Sequence, residues 1–169
     1  MFYRRNPAAQ HDEIVTTLKQ LLANTYLLYI QTQGAHWNVL GSDFPQLHTL
    51  FQTQYTELAL AIDLIAEHIR TYDAIAPGSA AEFMELATFE EGRFAPGNWA
   101  GAGMQLDKQS LLAMLLSQHK ETAKLAQKLG QISADAIHTQ NLAADRIEAH
   151  EKAAWMISAT MNQSAKRYY

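Results

Sequence analysis

Apolar residues in the first third of the chain recur at helical spacing. Ile14, Leu18, Leu21, Leu22, Leu28 and Tyr29 fall three, four or seven positions apart, which predicts an amphipathic helix over residues 11–37. Asn38-Val39-Leu40-Gly41-Ser42-Asp43 reads as a turn, with Asp43 or Ser42 as N-cap of the next helix and Pro45 in its first turn. That second helix, residues 44–72, carries Leu47, Phe51, Leu58, Ile62, Ile65 and Ile69. Pro77, Gly78, Gly92, Pro96, Gly97, Gly101 and Gly103 punctuate the next stretch, which has room for one short helix over 80–86. A third long helix is predicted from Asp107, as N-cap, to Leu129, with Gly130 as the residue that stops it. A fourth covers 139–161.

The order is two helices joined tightly, one long connection, then two more joined tightly. The long connection lets helices two and three run parallel, where three short connections would force simple up-and-down alternation. The expected fold is therefore all-α, a ferritin-like four-helix bundle with a long crossover carrying a short extra helix between helices 2 and 3. No internal repeat or second core is visible, so residues 1–169 are read as a single domain.

Composition narrows the chemistry. There is no cysteine, so any metal must sit on His, Asp and Glu, and a reducing, cytoplasmic setting is expected. No run of eighteen apolar residues is present and the first residues lack the apolar stretch of a secretory signal, so no membrane association is expected. The formal net charge is -4, which argues against a strongly basic nucleic-acid surface.

Helix two carries His48, Gln52, Asp63 and Glu67. At about 100° per residue they project at roughly 0°, 40°, 60° and 100°, on one side of one helix. His36, at the end of helix one, is brought by the short turn beside the start of helix two. His48 and Asp63 nevertheless lie about 22 Å apart along the axis, whereas one metal ion holds its ligands within about 2–2.5 Å. A single subunit cannot close this set. Two copies of helix two packed antiparallel about a two-fold axis can, and the operation generates two equivalent sites. Taken singly, each residue is equally at home as a helix-end histidine or a solvated carboxylate; their common face is the argument for metal. A di-iron site inside one bundle needs a Glu-x-x-His pair on each of two helices, and no such pair occurs.

Specific motifs accompany this pattern. His36-Trp37-Asn38-Val39-Leu40-Gly41, followed by Phe44, Leu47, His48, Phe51, Tyr55, Leu58, Asp63, Ile65, Ala66 and Glu67, resembles the signature of the Dps family, the miniferritins named as DNA-binding proteins from starved cells. Thr139, Leu142, His150-Glu151-Lys152 and Trp155-Met156 resemble the family's last helix. The resemblance implies a hollow homo-oligomer, a dodecamer, that oxidises ferrous iron with peroxide or O2 and stores the ferric mineral, protecting against oxidative stress. It implies a ferroxidase centre at the two-fold interface, with His36 and His48 from one subunit and Asp63 and Glu67 from its mate. It also implies pore-lining acids near the start of the last helix, matched here by Asn141 and Asp145, and a radical-trapping role for Trp37, whose alternative is an aromatic core or interface anchor; Trp155 reads as packing.

One departure stands out. The family usually has an aspartate where this chain has Gln52, and a neutral amide binds iron less well than a carboxylate. His68 and His150 are candidate substitute ligands, each also readable as structural, and a shift of the centre towards zinc is a further reading. DNA condensation needs several Lys or Arg in flexible tails. Only Arg4 and Arg5 at one end and Lys166 and Arg167 at the other are available, so DNA binding is not expected. Three readings follow: a ferroxidase with storage capacity, a DNA-protecting nucleoid protein with a vestigial iron site, and a shell that sequesters zinc or iron without fast oxidation.

Overall fold

The computed structural model describes residues 7–89 and 108–166. Five helices succeed one another: α1 Pro7–Asn38, α2 Phe44–Arg70, α3 Ala80–Leu86, α4 Lys108–Ile132 and α5 Ile137–Lys166. No strand occurs among the described residues. The predicted N-cap Asp107, the glycines from Gly92 to Gly103 and the basic residues Arg4, Arg5 and Arg167 lie outside them.

The helices form two hairpins, α1–α2 and α4–α5, that meet through α1 and α4. Direction follows from contacts at the ends. Gln10 Nε2 donates to the Ile132 carbonyl at 2.9 Å, so the start of α1 meets the end of α4. At the same end, Tyr72 and His68 meet Thr139, with Tyr72 Oη at 2.6 Å and His68 Nε2 at 2.8 Å from its Oγ1. Hence α1 opposes α4, α2 opposes α5, and α2 and α4 are parallel, as the crossover predicted. The core between them is closed and, Phe51 apart, aliphatic: Leu18, Leu21, Leu22, Leu28, Leu47, Phe51, Leu58, Ile65, Ile69, Leu112, Leu115 and Leu129 are all under 2 % exposed. Buried threonines on α1 return their hydroxyls to the preceding turn, Thr25 to Leu21 and Thr32 to Leu28 at 2.7 Å, so neither hydroxyl is stranded.

α3 is held by a reciprocal cap. Glu82 N–H donates to Ser79 Oγ at 3.3 Å and Ser79 N–H to Glu82 Oε2 at 3.0 Å. Its Phe83 stacks on Tyr26 of α1, centroids 4.3 Å apart. The chain beyond is pinned by a paired contact between Asn24 and Thr88, at 2.8 and 2.9 Å.

Two predicted boundary devices act differently. Gly130 does not end its helix; α4 continues to Ile132, and Ser133, whose Oγ donates to the Leu129 carbonyl at 2.7 Å, closes it. Asp43 occupies the N-cap position of α2 but makes no side-chain cap. Its carboxylate instead takes Lys108 Nζ at 2.7 Å, which ties the first residue of α4 to the α1–α2 turn.

Candidate metal centre

The turn between α1 and α2 places two imidazoles face to face. Gly41, at φ +106°, supplies a backbone conformation that L side chains rarely adopt, and Phe44 N–H returns to its carbonyl at 3.1 Å. This reversal sets His36 against His48, rings stacked with centroids 3.7 Å apart. Each ring bonds the other's backbone: His36 Nδ1 lies 2.8 Å from the His48 carbonyl and His48 Nδ1 lies 2.9 Å from the His36 carbonyl. A carbonyl only accepts, so each Nδ1 carries the hydrogen and each Nε2 keeps its lone pair. Backbone bonding of this kind fixes tautomer and orientation at metal-ligating histidines. Tyr55 closes one side, edge-on to His36 at 5.2 Å, and Phe44 packs on His48 at 4.9 Å. His36 is buried and His48 half-buried.

Asp63 and Glu67 sit at the other end of α2, both exposed, and neither carboxylate has a partner among the described residues. Among those residues no group of three or more His, Asp or Glu side chains comes together. Within one subunit the histidine pair and the two carboxylates are thus held apart by the length of α2. Gln52 is exposed on the same helix. Leu60 and Leu64, 67 % and 55 % exposed, lie i,i+4 to each other on either side of Asp63.

The substitute ligands proposed from sequence are placed elsewhere. His68 turns onto α5, its Nε2 on Thr139, and burial, with His138 nearby, lowers its pKa. His150 is buried against His119 of α4, Nδ1 to Nδ1 at 3.1 Å. Burial lowers the pKa of His119 to about 4 and that of His150 well below 6.5, with His119 and Arg146 adding to the effect. Neither His68 nor His150 is joined to the His36–His48 pair. Trp37 is 66 % exposed and Trp155 67 %, so the subunit core anchors neither, and the reading of Trp155 as packing does not hold within one subunit. Asn141 and Asp145 are exposed on α5. Sequence reasoning passed over His119 and the supporting role of Tyr55; Tyr55 lies seven residues beyond His48, on its helical face, which was the available signal.

Comparison with known proteins identifies the family. The chain matches the ferritin-like domain family over residues 15–166. It is 32% identical over 151 residues to a low temperature-induced protein of Nostoc, covering 88% of this chain and 79% of that one. It is 28% identical over 153 residues to DNA protection during starvation protein 2 of Bacillus anthracis, covering 90% and 99%. Among solved structures, the Dps protein of Vibrio cholerae, described as a member of a superfamily of ferritin-like diiron-carboxylate proteins, superposes with a TM-score of 0.77 at 28% identity, covering 90% of this chain and 91% of that one. The motif around His36, the parallel crossover topology and these matches agree: the chain belongs to the Dps family of miniferritins within the ferritin-like superfamily.

Proposed function

We propose that this chain is an iron-storing miniferritin that oxidises ferrous iron at a centre shared between two subunits. The reading rests on the His36–His48 pair: two imidazoles locked by each other's backbone, each with a free Nε2. The partner's Asp63 and Glu67 complete the centre when two α2 helices pack antiparallel. Hard carboxylate oxygens suit iron, and stabilise the ferric product better than the ferrous substrate. Peroxide or O2 accepts the electrons. A dodecameric shell, with Asp145 and Asn141 at its pores, admits the iron and holds the mineral, and Trp37 beside His36 intercepts stray oxidising equivalents. The Bacillus anthracis relative is named for DNA protection, but a net charge of -4 per chain makes a shell of such subunits acidic and opposes phosphate binding.

Complementation tests the shared centre. A His36→Ala/His48→Ala subunit and an Asp63→Ala/Glu67→Ala subunit are each expected to oxidise iron slowly. Unfolded and refolded together at equal amounts, they regenerate about one quarter of the wild-type centres, since half the two-fold pairs are mixed and each mixed pair has one intact site. Ferric absorbance after adding ferrous iron and peroxide reads this out. No recovery in mixed assemblies would overturn the reading, because a centre confined to one subunit cannot be rescued in trans.

A further inference from the structure

The bundle interior holds a second histidine pair that this iron chemistry does not use. His119 of α4 and His150 of α5 are each 1 % exposed. They face one another Nδ1 to Nδ1 at 3.1 Å, with ring centroids 5.3 Å apart. The Nε2 of each ring is buried without a partner, as are both polar atoms of the Gln54 amide. A polar atom left dry costs ~1–3 kcal/mol, and native proteins satisfy such groups with water, an ion or a ligand. Beside the pair opens a cavity of about 340 Å³, lined by His119, Gln54 and Met156 and by the charged Glu57, Asp145, Glu148 and Lys152.

We propose that His119 and His150 form an intrasubunit site for one borderline or soft transition-metal ion, entered from this cavity. Two nitrogens on a tetrahedral ion with bonds of ~2.0–2.1 Å stand ~3.3 Å apart, close to the spacing already present. Burial keeps both rings neutral, the state in which imidazole ligates. As a hydrogen-bonded pair, one ring carries its proton on Nδ1; a shift of that ring to the Nε2–H tautomer frees both Nδ1 lone pairs with no net proton release, and leaves each Nε2–H to donate to water drawn from the cavity. The Gln54 carbonyl and water from the cavity complete the coordination, and the Met156 thioether lies on the same cavity wall.

Charge permits this. Arg146 acts on His150, but Glu57 accepts its Nη1 at 2.6 Å. With Asp145 and Glu148 set against Lys152, the surroundings carry a slight negative charge. The same pairing withholds Glu57 as a ligand, so the donors are neutral and select zinc-like or cuprous ions over ferric iron. The site therefore binds metal without turning iron over, and it is independent of the shared centre proposed above.

The test uses zinc and the full chain in a His36→Ala/His48→Ala background, which removes the other imidazole pair and leaves His119 and His150 in place. Crystals soaked in zinc are expected to show an anomalous peak within bonding distance of both His119 and His150 Nδ1. In solution, His119→Leu added to that background lowers zinc stoichiometry by one ion per subunit, with far-UV circular dichroism unchanged. Ordered water alone between the two rings, or unchanged stoichiometry in a folded His119→Leu protein, would overturn the proposal. The crystal result decides it even where the leucine variant does not fold.

Discussion

Gln52 stands on the exposed face of α2, one turn after His48, where the resemblance led us to expect an aspartate. A carboxylate there adds a hard, charged donor to a centre with few of them. Gln52→Asp is expected to tighten ferrous binding about tenfold, or ~1.4 kcal/mol, by anaerobic titration calorimetry; equal affinity in the two proteins would show that the residue does not face the metal. The buried pair yields a second outcome. His119 has its pKa lowered to about 4 and His150 is lowered too, so below 6.5 the unfolded chain binds more protons than the folded one. Stability is then full above 6.5 and falls as pH drops towards 4, by up to ~3 kcal/mol for His119 alone. In metal-free protein, the fall in thermal midpoint over that window is expected to be smaller for His119→Gln than for wild type. Side chains separated by one tight turn or one helix face were legible in the sequence, as with His36, His48, Asp63 and Glu67. The pairing of His119 with His150 was not, because α4–α5 register is set by packing along two helices, and no local spacing encodes it.

At the scale of elements, apolar periodicity, caps and Pro/Gly punctuation together located the five helices of the described residues, while their ends depended on contacts the pattern does not contain. Two glycines show the difference. Gly41 is at φ +106° with nothing within 4 Å of an added Cβ, so Gly41→Ala carries only backbone strain, ~1–2 kcal/mol. Gly130 lies inside α4, where an added Cβ would meet Ala143 Cβ at 3.6 Å, an ordinary contact. Gly130→Ala is therefore expected to stabilise by ~0.5–1 kcal/mol through helix propensity and unfolded-state entropy. Urea unfolding of the two variants should move in opposite directions. A stop signal in sequence is the same letter in both places; the neighbour that allows a helix to continue lies on another element. Asp43 makes the same point, since its carboxylate is drawn from capping α2 to pairing with Lys108 across 65 residues of chain.

The whole molecule brings the two halves of the proposed iron centre to opposite ends of one helix, and no motion within a folded subunit joins them. Only a second copy supplies the missing donors, and the surface of α2 is suited to one. Leu60 and Leu64, exposed at 67 % and 55 %, share a face with Asp63 and Glu67 at i, i+3, i+4 and i+7. Large side chains left this open beside carboxylates mark a surface that association covers. Burying two leucines per subunit across a two-fold contributes several kcal/mol per pair of subunits, and the same approach carries Asp63 towards the partner's imidazoles. In the proposed centre, one surface would therefore serve both assembly and iron oxidation. Leu64→Lys puts a charge into the apolar surface that the second α2 would cover, and is expected to dissociate the assembly in sedimentation and abolish rapid ferric absorbance while helicity persists. An assembly that survived the lysine with its oxidation rate intact would mean that α2 is not the face that two subunits share.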